Sequence, residues 1–290
     1  GGCVVNPDVG REFLLTTGKK ACVSNRPARI LVAGAGPAGL AAARECTLNG
    51  HDVVICEQGP GLGGLLNLAS KAPGRKELGE ILQFFNRELT RLNIQVRYHT
   101  PLSKELLAEI FPDHVVLATG SLPEMPLIKG LFSMSISLVT GVDIMAGTET
   151  AGEKVIVLGG GMTGLIVADF LADQGKTVTV LNRKKSFAEE MSSNDRYYLR
   201  ERLKKENVSL YKQVSIQTFT PDGVIFSSRG EKITLSGFDT VVISEKYQAV
   251  RDAKFFENES PARFHLIGDV KSPRHLMYCI AEARELAGTC

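Results

Sequence analysis

The sequence predicts an α/β fold with two Rossmann-like units, and three observations carry that expectation. An apolar run, Arg29 to Ala33, stops at Gly34-Ala35-Gly36-Pro37-Ala38-Gly39 and passes directly into a small-residue, helix-prone segment. A second apolar strand, His51 to Cys56, ends in an acid, Glu57, about twenty residues on. The same strand–turn–helix text then recurs about 125 residues later, at Lys154 to Gly164, so a whole architecture is repeated rather than a short solenoid unit.

In the first turn Gly34 allows the tight bend, Gly36 lets the backbone approach a pyrophosphate, and Gly39 lets the helix pack closely on the strand. The helix N-terminus offers free N–H groups and partial positive charge to the phosphates, and Glu57 is placed to accept from ribose hydroxyls. A lone glycine motif is weak evidence; strand, helix and acid together make it a dinucleotide-binding reading. Gln58 to Leu66 then brings a second glycine cluster, Gly61, Gly63 and Gly64, able to pass close to another part of the same ligand.

Lys76 to Leu92 has Leu78, Ile81, Leu82, Phe85 and Leu89 at helical spacing, the mark of a core-facing helix. Gln95 to His99 reads as a short strand with His99 on the surface, not a metal ligand. Asp113 to Gly120 is a strand ending in small residues, Ala118-Thr119-Gly120, which leave room for a ligand against the backbone. From Pro123 to Gly152 the text is turn-rich and marks a domain crossing.

In the second unit Gly159, Gly161 and Gly164 repeat the turn, and Thr177 to Asn182 is the following strand. No acid ends it. Asn182 stands there with Arg183, Lys184 and Lys185 behind, and cations in place of an acid favour a 2′-phosphate, hence NADPH over NADH. A basic surface loop is the alternative for the same residues. Asp195 to Lys205 reads as an amphipathic helix, Val208 to Leu235 as short strands turning at Pro221-Asp222-Gly223 and Ser228-Arg229-Gly230, and Asp239 to Ser244 as a buried strand. The chain closes with the strand Arg263 to Asp269 and a helix over about Pro273 to Ala287, an arrangement suited to a sugar-like hydroxyl.

Composition limits the alternatives. A net charge of +2 with scattered Lys and Arg gives no reason to expect a nucleic-acid or membrane partner. No charged-then-apolar leader is seen, and six cysteines without a CxxC argue for reduced thiols and a cytoplasmic setting. No Ser-His-Asp grouping or paired carboxylates stand out, so no catalytic side chain is singled out.

These pieces resemble the two-dinucleotide-binding-domain flavoprotein reductases, and most closely the C-terminal half of the 2,4-dienoyl-CoA reductase, 2-enoate reductase and trimethylamine dehydrogenase family. The carrying motifs are CVVNPDVGRE at Cys3 to Glu12, GAGPAGLAAA at Gly34 to Ala43, GHDVVICE at Gly50 to Glu57, GLGGLL at Gly61 to Leu66, LATG at Leu117 to Gly120, GGGMTG at Gly159 to Gly164 and IGDVKSPR at Ile267 to Arg274. The resemblance implies a second domain inserted in the first: a lead-in at 1–27, an FAD domain at 28–125 plus 250–290, and an NAD(P)H domain at 126–249. It implies FAD at Gly34, Gly36, Pro37, Ala38, Gly39, Glu57, Gln58, Gly63, Gly64, Leu65, Ala118, Thr119, Gly120, Gly268, Asp269, His275 and Leu276. NADPH or NADH would lie at Gly159, Gly161, Met162, Thr163, Gly164, Asn182, Arg183 and Lys184.

The family also carries an upstream FMN-bearing barrel of the old-yellow-enzyme kind joined by a four-iron cluster, and Cys3 looks like the last of its four cysteine ligands. A cluster needs four thiolates, so an iron-sulfur cluster is expected only with the upstream segment, and Gly1 is expected to mark a cut or a split subunit. Two departures stand out. The family's Gly-x-Glu-x-Ala after the second turn is Gly164-Leu165-Ile166-Val167-Ala168 here, and the small Ala-x-Gly strand end is Ser244-Glu245-Lys246. The expected function is an NAD(P)H:FAD oxidoreductase module passing electrons to an iron-sulfur and FMN partner that reduces an enoate or similar substrate. The rivals are a structural ADP- or FAD-holding domain and a free-standing diaphorase.

Overall fold

A computed structural model describes Asn6, Val9 and residues 26–250 and 260–290. Cys3 and nearly all of the lead-in at 1–27 lie outside the described residues. The chain divides into two compact units: Gly1–Asn67, Glu77–Leu122 and Gln248–Cys290 form one, Leu68–Lys76 and Pro123–Tyr247 the other.

The first unit opens with β1 (Arg29–Ala33), α1 (Pro37–Leu48) and β2 (Asp52–Cys56). Pro37 at the first helical turn has no N–H to lose there, and its fixed φ suits a helix start. The short helix α2 (Gly64–Ala69) and the longer α3 (Leu78–Arg91) follow, and α3 buries Phe85 and Leu89 as its spacing predicts. Then come β3 (Gln95–Arg97), α4 (Lys104–Ile110), capped by the Ser103 hydroxyl, and β4 (His114–Leu117). His99 is not on the strand: it takes φ 51° in the turn beyond it. After β5 (Ser121–Pro123) the chain enters the second unit.

There the elements are β6 (Ser137–Thr140), α5 (Gly141–Ala146), β7 (Lys154–Leu158), α6 (Met162–Asp173), β8 (Thr177–Asn182), α7 (Ser193–Lys205) and β9 (Ser209–Lys212). Antiparallel β10 (Val214–Thr220), β11 (Gly223–Ser228) and β12 (Glu231–Leu235) follow, then β13 (Thr240–Ile243). Arg229 and Gly230 both take positive φ, the backbone a tight two-residue hairpin requires. The return runs through β14 (Tyr247–Ala249), paired with β5, to β15 (Arg263–Leu266) and α8 (Leu276–Leu286).

Each unit has a five-stranded, all-parallel sheet. The orders are β15-β4-β1-β2-β3 and β6-β13-β7-β8-β9. The two are the same arrangement, with β1 and β7 at the position where strand order reverses, the place where open α/β sheets hold ligands. Strands covered on both faces read as continuous apolar runs, and β1 and β7 are buried along all but their first residue. The units differ in the crossover that covers one face. In the first, α4 supplies Leu106, Leu107 and Ile110; in the second, the antiparallel sheet supplies Phe219, Val224 and Phe226. Leu68–Lys76, placed by the sequence with the first unit, belongs to the second because Ala72 is buried in its core and the Lys71 ammonium donates to the Met145 carbonyl.

Candidate functional site

In the first unit the turn after β1 is assembled by close backbone packing. Gly34 has φ 106°, and a Cβ on it would lie 2.5 Å from the Ala118 carbonyl oxygen at the end of β4. A Cβ on Gly39 would collide with the Gly34 carbonyl. Gly36 is different. Its backbone is ordinary extended (φ −72°, ψ 177°) and no heavy atom lies within 4 Å of where its Cβ would be. It is the N-cap of α1 and makes no side-chain cap, so the helix N-terminus faces open space with positive partial charge.

Several of the other predicted residues lie close to that turn. Glu57, just past β2, accepts from the Ala35 N–H at 2.7 Å and the Gly59 N–H at 2.7 Å. Each carboxylate oxygen keeps a further lone pair for a hydroxyl. Gly63 N–H donates to the Ala35 carbonyl at 2.8 Å, and a Cβ on Gly64 would sit 3.5 Å from Gly36 Cα, so the second glycine cluster lies against the first turn. Behind β15, a Cβ on Gly268 would lie 2.7 Å from Ala38 Cβ, which puts Gly268-Asp269 beside the start of α1. Asp269 accepts from the Ser121 hydroxyl at 3.0 Å and the Arg274 N–H at 3.1 Å. Thr119 spends its hydroxyl on the Val250 carbonyl at 2.8 Å. His275 is the N-cap of α8 with Leu276 following.

Two neighbours have shifted ionisation. Burial pushes the Cys56 thiol up to about 12, so it is an inert packing group beside Glu57. Glu282, which accepts from the Gly268 N–H at 2.8 Å, is raised by burial but held below the usual carboxylate range by that N–H, Arg274 and Lys271. A cavity of about 810 Å³ in this unit is lined by residues such as Arg44, Glu77, Phe84 and Arg284 and includes none of the predicted residues. Chemistry, not volume, marks the site.

The second unit repeats the turn with a different occupant. Gly159 has φ 119° and packs on the Ser244 carbonyl, and a Cβ on Gly164 would collide with the Gly159 carbonyl. At Gly161, the counterpart of Gly36, a Cβ would meet Glu190 Oε1 at 2.8 Å, and the Glu190 carboxylate accepts from the Met162 N–H. A carboxylate therefore lies on the helix N-terminus where an anionic ligand would bind. Thr163 follows Met162 in the first turn of α6.

Asn182 is buried and works as a loop tie. Its amide donates to the Ser186 carbonyl at 2.7 Å and the Lys184 carbonyl at 3.3 Å, and its oxygen accepts from the Lys184 N–H at 3.2 Å. Arg183 pairs with Glu245 at 3.3 Å, while the Lys184 side chain is exposed. Burial raises the Glu245 carboxyl above the usual range, with Arg183 and Lys246 pulling the other way. The sequence marked Glu245 as a departure but gave no hint of Glu190, which reaches the turn through a loop of no regular period. It likewise gave no sign of Ser121 or Glu282, which act through hydrogen bonds rather than a motif.

A family model described as pyridine nucleotide-disulphide oxidoreductase matches residues 28–245. The chain belongs to the pyridine nucleotide-disulphide oxidoreductase family. It is 33% identical over 224 residues to an NADH oxidase of Thermoanaerobacter brockii, covering 77% of this chain and 34% of that protein. It is 27% identical over 288 residues to a cinnamate reductase of Clostridium sporogenes, covering 98% of this chain and 42% of that protein. A solved 2-naphthoyl-CoA reductase complex matches with a TM-score of 0.88 and 31% identity over 99% of this chain and 43% of its own. The chain thus spans less than half the length of each. These relatives bear out the resemblance drawn from the motifs, to the FAD/NAD(P)-binding half of the enoate reductase family. Among the described residues no helix is long and apolar enough to cross a membrane.

Proposed function

We propose that this chain is the NAD(P)H:FAD oxidoreductase part of a longer flavoenzyme. The observation that carries the reading is the open space over Gly36, at a bare helix N-terminus, with Glu57, Gly63, Gly64 and Asp269 gathered around it. These residues fit FAD: the α1 N-terminus and Gly36 would take the pyrophosphate, Glu57 the adenosine ribose, and Gly63, Gly64, Thr119, Gly120 and Asp269 the flavin half. Bound FAD supplies acceptance of a hydride and release of single electrons. The protein's own task is then to hold two nucleotides in place and keep water out, which needs no acid or base side chain.

The second unit would hold the nicotinamide nucleotide over Gly159, Gly161 and Gly164 once the Glu190 side chain swings away. Arg183 and Lys184 would favour NADPH, Arg183 exchanging Glu245 for a phosphate. Beyond this chain, the reading calls for an FMN and iron-sulfur barrel as partner, with Cys3 as one of four cluster ligands, an enoate-like substrate, and a cytoplasmic setting in keeping with free Cys46, Cys56, Cys279 and Cys290. Anaerobic addition of NADPH to the purified protein should bleach the flavin; a yellow protein that NADPH cannot bleach would defeat the reading. Joining the upstream segment should bring in iron that Cys3→Ala removes.

A second reading, an FAD- or ADP-holding module without nicotinamide turnover, is favoured by one observation. The Glu190 carboxylate already occupies the anion position of the second turn. Failure to bleach with flavin fully bound would select it.

A further inference from the structure

We propose that His114, His265 and Cys290 form a zinc site in the first unit, remote from the glycine turn. His114 begins β4 and His265 lies on the neighbouring strand β15, where the parallel register sets Arg263 opposite His114 and His265 opposite Val116. Period-two alternation puts both imidazoles on one face of the sheet. Their rings stack with centroids 5.2 Å apart, and His114 Nδ1 lies 2.9 Å from His265 Nε2. The Cys290 sulfur closes a triangle in which all three donor atoms lie within 4.8 Å of one another.

Cys290 is brought there by α8, whose last turn bonds the Cys290 N–H to the Leu286 carbonyl at 3.3 Å. The Cys46 thiol, fully buried on α1, belongs to the core cluster against which Cys290 packs. Four separate pieces of chain thus bring two imidazoles and two sulfurs together. A hydrogen-bonded histidine pair by itself calls for no third donor.

The donor set selects the ion. Two nitrogens and a thiolate, with no carboxylate in the group, suit zinc and exclude the oxygen-seeking magnesium and calcium. Tetrahedral zinc with bonds of about 2.0–2.1 Å to nitrogen and about 2.3 Å to sulfur separates its ligand atoms by about 3.3–3.7 Å. The two imidazole nitrogens, now 2.9 Å apart, would have to part by a few tenths of an ångström to admit the ion. Binding removes the Cys290 thiol proton to solvent, and the proton shared between the imidazoles moves to an outward-facing ring nitrogen. Cys46 is a positioning residue that orients the Cys290 sulfur; the fourth position is left to water.

Cys46 is ten residues beyond Gly36, about 15 Å along the helix, so the ion would take no part in the flavin reaction. Its effect is to tie β4, β15 and the end of α8 together.

The full-length protein, purified under reducing conditions with its cofactors, is equilibrated with Zn²⁺, passed into metal-free buffer and analysed for zinc, with Co²⁺ as an optical probe. We expect stoichiometric zinc, a tetrahedral Co²⁺ spectrum with a thiolate charge-transfer band, and a metal-dependent rise in melting temperature. His265→Gln and Cys290→Ser should abolish all three, while Cys46→Ser should keep the site but weaken it about 10- to 100-fold. His99→Asn, an exposed histidine substitution, should change nothing. Flavin content and circular dichroism confirm that each variant is folded, and His114→Gln serves where another variant is not. Zinc no higher than in Cys290→Ser, zinc unaffected by all three ligand substitutions, or a Cys46–Cys290 disulfide in the freshly isolated protein would each overturn the proposal.

Discussion

Replacing Gly36 by Val separates ligand binding from folding in a way that few glycine substitutions can. The backbone at φ −72°, ψ 177° is open to any residue, and no heavy atom stands within 4 Å of the new Cβ. Restricting the unfolded chain contributes about 0.4–1 kcal/mol of stability, and exchanging a tolerated N-cap for a poor one costs about the same, so the net change should lie within about 0.5 kcal/mol. Binding should respond very differently, because the isopropyl group enters the space proposed for the pyrophosphate. Loss of one charge-assisted hydrogen bond costs about 1.5–3 kcal/mol, roughly a 10- to 150-fold rise in the FAD dissociation constant. Gly39→Val is the opposite control: its Cβ would collide with the Gly34 carbonyl, backbone against backbone, and should destabilise the unit by about 3 kcal/mol or more. The assay is flavin titration by fluorescence quenching alongside thermal denaturation. A Gly36→Val protein with an unchanged dissociation constant would refute the assignment; one that melts well below the parent would refute the reading of the open space.

Asp269→Ala should weaken FAD by about 1.5–3 kcal/mol in the same titration, with Asp269→Asn intermediate because it can still accept from the Ser121 hydroxyl. Glu190→Gln should lower KM for the nicotinamide nucleotide while costing the second unit about 0.3–1 kcal/mol of helix-terminal stabilisation; an unchanged KM would show that Glu190 does not compete for the site. Removing Arg183 and Lys184 should weaken NADPH selectively over NADH, and equal loss for both would remove the basis for that preference. Glu88, hydrogen-bonded by Arg91 and Arg44, is held down to about 2 from an ordinary 4.5, so its stabilisation is present above pH 4.5 and lost as pH falls towards 2. Glu88→Gln should therefore cost about 1 kcal/mol or less at pH 7 and flatten the acid limb of the denaturation curve between those values.

Much of this molecule was written locally. Residues Arg29–Ala33 and Lys154–Leu158 specify strands because β-branched and apolar runs can be buried on both faces, and the glycines specify turns because only a missing Cβ admits the packing of Gly34 on Ala118 and Gly159 on Ser244. The hairpins at Pro221-Asp222 and Arg229-Gly230 and the α7 cap at Ser192 are likewise short-range chemistry. The sequence by itself therefore determined the two repeated units and the glycine turn of each.

What decided the contents of each turn was contact between residues far apart in the chain. Glu57 is fixed by Ala35, Asp269 by Ser121, and Arg183 by Glu245, and no motif encodes these partners. Glu190 shows the limit most clearly. The two glycine turns read alike, yet one helix N-terminus is open and the other is capped, because a carboxylate at the end of an irregular loop finds the partial positive charge that the helix leaves exposed. Local sequence sets where a backbone dipole will be uncovered; only the folded chain sets which charge reaches it first.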